Sequence, residues 1–353
     1  MARLARCEVI DPAEVSLVHV INRTVRRCFL LGDDSFTGKN FDHRKVWIEE
    51  LLEQFAACFA IDLLCYAILS NHYHLILRTR PDVVAAWDDT EVARRWLLIC
   101  PHRRIDGKPA EPSQAELNLI RNCPVKLAEI RRRLSDVSWW IRLLNQRVAQ
   151  RANREEQEKG RFWQDRYRAI RIVDEESLLA CAAYVELNPI RAAMAETLET
   201  SDHTSVQRRI QAETDRVGGD KGLPAQERRD AFLAKLTLDE QSGQVGVLPS
   251  GSGKRCSDKG FLGIDFASYL ELLDWTARQS VLGKRGTTPQ ETPPILQRLG
   301  MGSSSWLELV DHFEQTFVLV AGRCDRVSGL RSHATGRRFR LTPRARRLLP
   351  SLE

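Results

Sequence analysis

Two histidines separated by a single residue are the first feature of this sequence that could support chemistry. His72 and His74 flank Tyr73 at the start of an apolar run, residues 72–79, that predicts a β-strand. Side chains alternate along a strand, so both imidazoles would leave one face about 7 Å apart and could bind one cation. The alternative interpretation is a hairpin that carries two surface histidines.

A tyrosine and an asparagine four residues apart form the second such feature. Tyr184 and Asn188 lie in a segment whose pattern predicts a helix, where residues i and i+4 share a face. The tyrosine hydroxyl can act as a nucleophile, and the asparagine amide oxygen is a hard ligand of the kind that Mg²⁺ or Mn²⁺ accepts. The alternative is a buried ring near a helix end that Asn188 caps.

Hydrophobic patterns predict the elements that must position these side chains. The predicted strands cover residues 16–22, 63–69, 72–79 and 166–173, and the Ser70-Asn71 break is typical of a hairpin. Two predicted helices cover residues 42–59 and 138–158, and Gly160 ends the second. A third predicted helix begins after a capping residue, Asp174, and ends at Leu187, where Pro189 helps to stop it.

Composition shifts divide the chain into three predicted parts. Residues 1–211 would form the catalytic domain, residues 212–260 a flexible linker with glycine, proline and serine clusters, and residues 261–353 a helical extension that ends in an arginine-rich tail. Within the extension, helical spacing is seen at 266–279 and 306–318. The polar segment 101–112 predicts a surface insertion.

The charge of the 353-residue chain is unevenly placed. Its net charge is +6, yet residues 323–353 alone hold nine arginines against two acids, so the remainder is close to neutral. A basic tail favours contact with a polyanion, most often nucleic acid, and we expect its deletion to weaken DNA affinity and flatten the salt dependence of binding. The alternative is a solvated, partly disordered tail.

The same composition excludes several classes of protein. A chain with 43% hydrophobic residues can bury a sizeable core, and it has no apolar run long enough to span a membrane. The first six residues, MARLAR, are not followed by the apolar region of a signal peptide. Nine cysteines without a CxxC pair predict reduced thiols rather than disulfides or a zinc site.

Taken together, these segments resemble the HUH-type single-tyrosine transposases, which include the REP-associated tyrosine transposases. His72-Tyr73-His74, with Leu69-Ser70-Asn71 as the turn before it, is similar to the His-hydrophobe-His element of that family. The segment Gly160 to Tyr167 resembles the Gly-x-x-Trp block of the family. Tyr184 to Arg191 resembles its tyrosine helix, and His19 to Arg23 resembles its first strand. The resemblance covers about residues 1–210.

The resemblance implies an α+β fold, a ferredoxin-like antiparallel sheet flanked by helices, with a C-terminal mainly helical extension. His72, His74 and Asn188 would hold Mg²⁺ or Mn²⁺, which polarises the scissile phosphate. Tyr184 would then attack phosphorus, leaving a 5′-phosphotyrosine and a free 3′-OH, and a second 3′-OH can reverse the step to join strands. The covalent bond stores the phosphodiester energy without ATP.

A single nucleophile suits single-stranded or hairpin DNA, because cutting both strands of a duplex needs a second event. The expected DNA contacts are basic and aromatic side chains of the predicted helix 138–158 and of the segment that follows it. They are Arg147, Arg151, Arg154, Arg166, Arg168 and Arg171 for phosphates and Trp163 or Tyr167 for stacking on an unpaired base. The alternative is that the arginines solvate a helix face and that Trp163 belongs to the core.

The leading prediction is therefore a DNA transposase, a metal-dependent endonuclease and strand transferase for single-stranded DNA. A catalytically inactive or domesticated hairpin-DNA-binding protein of the same fold is the alternative. A third hypothesis, from another class, is a metal-dependent phosphoesterase for small substrates in which Tyr184 is structural. We also expect a homodimer as a possible assembly and a cytoplasmic location in a bacterium, associated with the nucleoid.

Overall fold

The computed structural model describes residues 9–34, 37–218, 224, 226–238, 248–281, 293–332 and 334–351. The strands are β1 (Leu17–Arg23), β2 (Asp33–Asp34), β3 (Lys39–Asn40), β4 (Ile61–Ile68), β5 (His72–Thr79), β6 (Arg104–Ile105), β7 (Lys108–Pro109), β8 (Arg168–Ile172) and β9 (Val320–Ala321). A 3₁₀ turn covers Val25–Arg27.

The helices of the first half of the chain are α1 (His43–Cys58), α2 (Pro81–Ala86), α3 (Asp89–Ile99), α4 (Gln114–Arg121), α5 (Pro124–Arg133), α6 (Val137–Glu156), α7 (Glu175–Glu186) and α8 (Asn188–Arg191). Those that follow are α9 (Ser205–Gly218), α10 (Phe266–Val281), α11 (Pro294–Arg298), α12 (Ser303–Asp311), α13 (Phe313–Thr316), α14 (Cys324–Ser328) and α15 (Pro343–Leu348). Among the described residues, no helix is both long enough and apolar enough to cross a lipid bilayer.

One sheet of five strands, in the order β4-β5-β1-β8-β9, forms the centre of the molecule. Its first four strands pair antiparallel, and β9 joins β8 in parallel. With α1 between β1 and β4, and α6 between β5 and β8, this order is that of a ferredoxin-like βαββαβ unit. The predicted fold class is confirmed, an antiparallel sheet flanked by helices with a mainly helical C-terminal region.

Alternation along the strands divides the apolar side chains between two cores. Val18, Val20 and Leu75 face one core, to which α1 and α6 contribute. Ile76 and Ile170 face the other, to which α7 and the C-terminal region contribute. The residues of α7 from Ser177 to Glu186 are all buried, as expected of a helix enclosed on every side.

The C-terminal region completes this second core. β9 continues the sheet, with Val320 opposite Arg171 and Ala321 opposite Ile172, and α12 packs on α7. The arginine-rich tail is folded over its described residues, in contrast to the alternative of a disordered tail. Most of its arginines are exposed, whereas its apolar side chains enter the core. The buried apolar residues are Val327, Phe339, Leu341, Ala345, Leu348 and Leu349.

The described residues of the predicted linker also contact the sheet. Leu233 forms a parallel bridge with Leu63. Ser257 donates a hydrogen bond of 2.8 Å to the buried carboxylate of Asp62, which also pairs with Arg78 at 2.6 Å. A buried carboxylate needs such partners because desolvation of an unpaired charge is costly. The division of the chain at 212 and 260 stays a prediction.

Two helix ends differ from those expected. The helix predicted over 138–158 ends at Glu156, where Gln157 adopts a left-handed φ of 56°, before Gly160 is reached. The helix that begins after the Asp174 cap ends at Glu186, and Pro189 opens α8 rather than stopping the helix before it, because proline fits a first helical turn.

The helix predicted over 306–318 is broken in two. His312 has φ of −125° and ψ of 27°, so α12 ends before it and α13 begins at Phe313. This break sends the side chains of α13 toward α7 and β1, where Phe313 is fully buried.

Candidate active site

The sheet brings three histidines together on the face that α7 covers. His72 and His74 lie on one face of β5, as predicted, with their ring centroids 5.0 Å apart, and Tyr73 points to the opposite face. His19 on the adjacent β1 stacks on His74 at 5.3 Å between centroids, since diagonal residues of neighbouring strands are in contact. His19 and His74 are completely buried.

A hydrogen bond between two imidazoles fixes the orientation of His74. Its Nδ1 lies 3.1 Å from Nε2 of His19, and its Nε2 lies 3.3 Å from the side-chain amide of Asn188. The tautomer in which His74 donates through Nδ1 leaves a lone pair on Nε2, beside Asn188. A histidine ligand in proteins commonly has its second nitrogen bonded in this way, which raises its basicity.

Burial keeps the three imidazoles neutral at neutral pH. Desolvation lowers the pKa of His72 to about 4 and that of His19 to about 3, with nearby arginines as a smaller cause. It also lowers the pKa of His74 well below the ordinary value, and the other two histidines and two arginines add to that effect. The neutral form is the one whose nitrogen lone pair can bind a metal.

Tyr184 reaches the histidines from α7. An Asp174 side chain caps this helix by accepting from the backbone N–H of Ser177 at 2.9 Å, as the sequence predicts. The tyrosine ring meets His74 edge-on at 5.4 Å and His19 at 5.9 Å between centroids. Tyr184 and Asn188 both contact His74, as expected, although a helix break separates α7 from Asn188.

The tyrosine hydroxyl has a partner that sequence reasoning missed. Tyr184 Oη donates a hydrogen bond of 2.9 Å to Oε1 of Glu314 on α13, and the Phe313 ring stacks on the tyrosine ring at 6.0 Å. Tyr184 is only 9% exposed as a result. Burial, followed by the negative charge of Glu314, raises the pKa of the tyrosine.

Two arginines converge on the same carboxylate. Arg23 at the end of β1 lies 3.1 Å from Oε2 of Glu314, and Arg168 at the start of β8 lies 3.8 Å from it. Arg168 also donates to the main-chain oxygen of Glu314 at 2.8 Å and to that of Phe317. No local pattern in the sequence marks Glu314, and Arg23 is marked only as the end of the first-strand segment, because their proximity to Tyr184 arises from the packing of α13 on the sheet.

The donor atoms of the predicted metal site fit a divalent cation in type. The neutral imidazoles of His72 and His74 lie 5.0 Å apart between ring centroids, and Asn188 meets Nε2 of His74 through its amide nitrogen, so its amide oxygen would have to turn toward a bound metal. No group of three or more His, Cys, Asp or Glu side chains placed to hold a metal occurs in the part of the chain that the structure describes. Nitrogen donors favour Mn²⁺ over Mg²⁺, which prefers oxygen ligands.

The predicted DNA contacts fall into separate environments. Arg168 lies at the Tyr184 site. Arg147 on α6 donates to Gln54 and to the main chain of Ile99, and Arg151 stacks on Trp47 at 4.0 Å and pairs with Glu50 at 3.5 Å. Arg154 and Arg166 are exposed, and Arg171 pairs with Glu14 at 3.1 Å.

Trp163 and Arg166 line a groove of about 620 Å³ between α6 and residues 161–167. Trp163 donates its indole N–H to the main chain of Asn145 at 2.9 Å and meets Tyr73 edge-on at 5.4 Å. The groove therefore lies on the side of β5 opposite His72 and His74. Exposed Arg142 and Arg161 lie along it, while Tyr167 is buried.

The depressed histidine pKa values predict a specific loss of stability in acid. In metal-free protein, His72 binds a proton near pH 6.5 when the chain is unfolded, but only near pH 4 when it is folded. The free energy of unfolding therefore falls as the pH drops from 6.5 to 4, because the unfolded chain binds more protons in that range. We expect His72 to account for as much as about 3 kcal/mol of this loss. Urea denaturation at several pH values in the presence of EDTA would measure it.

The His72→Gln variant should show a flatter dependence of stability on pH between 6.5 and 4, because glutamine does not titrate. His102→Gln, which changes a histidine on the surface, serves as the control and should retain the wild-type slope. Equal slopes for wild type and His72→Gln would contradict the prediction.

Comparison with known proteins adds one structural likeness. No protein-family model and no curated protein matches the sequence. Among solved structures, the chain is similar to a REP-associated tyrosine transposase bound to a REP hairpin, with 12% sequence identity and a TM-score of 0.33. The match covers 60% of this chain and 86% of that one. The assignment of a function therefore depends on the residues of the site itself.

Proposed function

We propose that this protein nicks and rejoins single-stranded or hairpin DNA through a 5′-phosphotyrosine on Tyr184, aided by a divalent metal. The observation that carries the proposal is the meeting of the Tyr184 hydroxyl, the His74 imidazole and two guanidinium groups on one face of the sheet. A nucleophile, a nitrogen ligand and cationic groups are the parts that phosphoryl transfer needs.

In this proposal His72, His74 and Asn188 hold Mn²⁺ or Mg²⁺, which when bound withdraws charge from the phosphoryl oxygens. Tyr184 Oη forms a bond to phosphorus as the bond from phosphorus to the 3′ oxygen breaks. The proton that the tyrosine loses is matched by the proton that the 3′ oxygen gains. The reverse reaction with a second 3′-OH restores Tyr184 and joins the strands.

Rigid placement of the nucleophile supports this chemistry. Tyr184 is held on a buried helix whose cap and neighbours are fixed, and its ring is enclosed by His19, His74 and Phe313. A reacting group held in one orientation lowers the entropic part of the barrier. The exposed Arg154 and the groove at Trp163 and Arg166 would bind the flanking DNA, through phosphates and an unpaired base.

A second candidate function is a hairpin-DNA-binding protein of the same fold whose tyrosine is not used. The observation that favours it is the coverage of Tyr184 by Phe313 and Glu314, which leaves the hydroxyl with little access to a substrate. This candidate keeps the DNA contacts and requires no chemistry.

One experiment separates these functions. The full-length chain is incubated with 5′- and 3′-labelled single-stranded DNA that flanks a hairpin, with Mn²⁺ or with EDTA, and resolved on a denaturing gel. We expect a protein–DNA adduct with Mn²⁺ that EDTA abolishes, and mass spectrometry should place the nucleotide on the peptide that contains Tyr184. Binding without an adduct favours the second candidate, and hydrolysis of a small phosphodiester without DNA binding contradicts both.

A further inference from the structure

The carboxylate of Glu314 occupies a site built for an anion. Three groups donate a hydrogen bond to it or bring positive charge to it, and the neutral His74 imidazole lies beside them. Tyr184 Oη lies 2.9 Å from one carboxylate oxygen and His74 Nδ1 lies 3.7 Å from the same oxygen, while Arg23 lies 3.1 Å and Arg168 3.8 Å from the other. The Glu314 side chain is 14% exposed, so this carboxylate is largely withdrawn from water.

The position of this carboxylate is also that of a group under attack by Tyr184. A nucleophile must approach the reacting atom to about 3–3.5 Å before a bond forms. A phosphate whose oxygen replaced Oε1 of Glu314 would accept the same hydrogen bond from Tyr184 and place phosphorus just beyond that range, so that a small movement would bring it into position for attack. Planar guanidinium groups such as Arg23 and Arg168 suit a phosphate as well as a carboxylate.

The charges favour the same interpretation. One carboxylate is surrounded by two guanidinium groups, and a third, Arg191, lies over the Tyr184 ring at 5.2 Å and pairs with Asp311 at 3.6 Å. Removal of Glu314 from the site would leave Arg23 and Arg168 facing each other without the anion that separates them. A phosphodiester carries the single negative charge that would restore the balance.

We propose that the scissile phosphate binds where the Glu314 carboxylate lies, with Arg23 and Arg168 as its ligands, and that Glu314 is an internal mimic of that phosphate which withdraws when DNA binds. This inference rests on the proposed role of Tyr184 as the nucleophile. It assigns the two arginines to substrate binding at the reacting phosphate and the C-terminal region to the DNA site.

The sign of the Glu314→Gln effect tests the proposal. Glutamine keeps the size of the side chain but removes the competing charge, so the variant should bind an unpaired oligonucleotide about tenfold more tightly than wild type. Binding is measured by fluorescence anisotropy in a Tyr184→Phe background, where no chemistry occurs. The logarithm of the binding constant should also fall more steeply with the logarithm of salt concentration, by about 0.7, because in wild type the carboxylate that withdraws takes up a cation and offsets one that the phosphate releases.

Matched variants show whether the gain in DNA affinity comes from the loss of the Glu314 charge at this site. Glu308→Gln removes the same charge from α12, where Glu308 pairs with Arg344 and Arg347, and should leave affinity unchanged. Arg23→Gln added to Glu314→Gln should reverse the gain. Glu314→Asp, which shortens the side chain by one methylene and keeps the charge, should give an intermediate affinity and covers the case in which Glu314→Gln does not fold.

The outcomes separate this proposal from the proposed function. Tighter binding by Glu314→Gln without an adduct from any Tyr184-containing protein would support the phosphate site and contradict the nuclease. An adduct from wild type together with unchanged or weaker binding by Glu314→Gln would support the nuclease and overturn the phosphate site. Equal gains in Glu314→Gln and Glu308→Gln would also overturn it, because the effect would then be one of net charge.

Discussion

Replacing Tyr184 with phenylalanine should abolish the covalent DNA adduct and leave DNA bound. Phenylalanine keeps the ring contacts with His19, His74 and Phe313 and removes only the hydroxyl that would bond to phosphorus. Loss of a nucleophile in a covalent mechanism costs at least about a thousandfold in rate. The denaturing-gel assay with Mn²⁺ measures the adduct, and anisotropy with the same oligonucleotide measures binding.

Tyr73→Phe is the matched control for this experiment. Tyr73 lies between the two candidate histidine ligands, but its hydroxyl donates to Asn145 at 2.8 Å on the other side of the sheet. The variant should form the adduct at a rate close to that of wild type. An adduct that persists in Tyr184→Phe would contradict the proposed nucleophile, whereas loss of the adduct in both variants would indicate a fault in folding rather than in chemistry.

Deletion of residues 323–353 should prevent cooperative folding. The deleted segment buries five large apolar side chains, those of Val327, Phe339, Leu341, Leu348 and Leu349. At roughly 1.5–3 kcal/mol for each, their loss is about 8–15 kcal/mol, which equals the whole stability of a typical domain. Arg323 is buried as well and pairs with Glu176 at 2.8 Å. Urea denaturation followed by circular dichroism would measure the result.

A truncated chain that unfolds cooperatively at the wild-type urea concentration would contradict this prediction. Because the deletion is expected to remove core packing, it cannot test the expected role of the tail in DNA binding. Substitution of Arg337, Arg338 and Arg340 by glutamine tests it better, since all three are exposed while Phe339 between them is buried. We expect this variant to fold, to bind DNA more weakly and to depend less on salt.

Local patterns in the sequence were sufficient to predict the parts of the site that lie on β5 and α7. Period-two alternation placed His72 and His74 on one face of β5 and Tyr73 on the other, and a capping aspartate marked the start of the tyrosine helix. These features depend on residues close in sequence, where spacing and propensity determine the structure. The ferredoxin-like antiparallel sheet flanked by helices followed from the resemblance and is confirmed.

The remaining parts of the site depend on contacts between distant residues. Glu314 is 130 residues from Tyr184, and the pattern of 306–318 fits one continuous helix, which gives no sign of the break at His312. His19 lies in a strand that reads as wholly buried, so its contact with His74 appears only once β1 is placed next to β5. Packing therefore decided which side chains share the site.

The shared core of α7 and the C-terminal region has a consequence for synthesis on the ribosome. Tyr184 is made well before Glu314, and at 5–20 residues per second the delay is about 6 to 26 s. During that time α7 lacks apolar partners that enclose it, including those of α12, on which α15 packs in turn. The core around the tyrosine is completed by the same late segment that covers its hydroxyl, so a nascent chain would not present a folded and uncovered nucleophile.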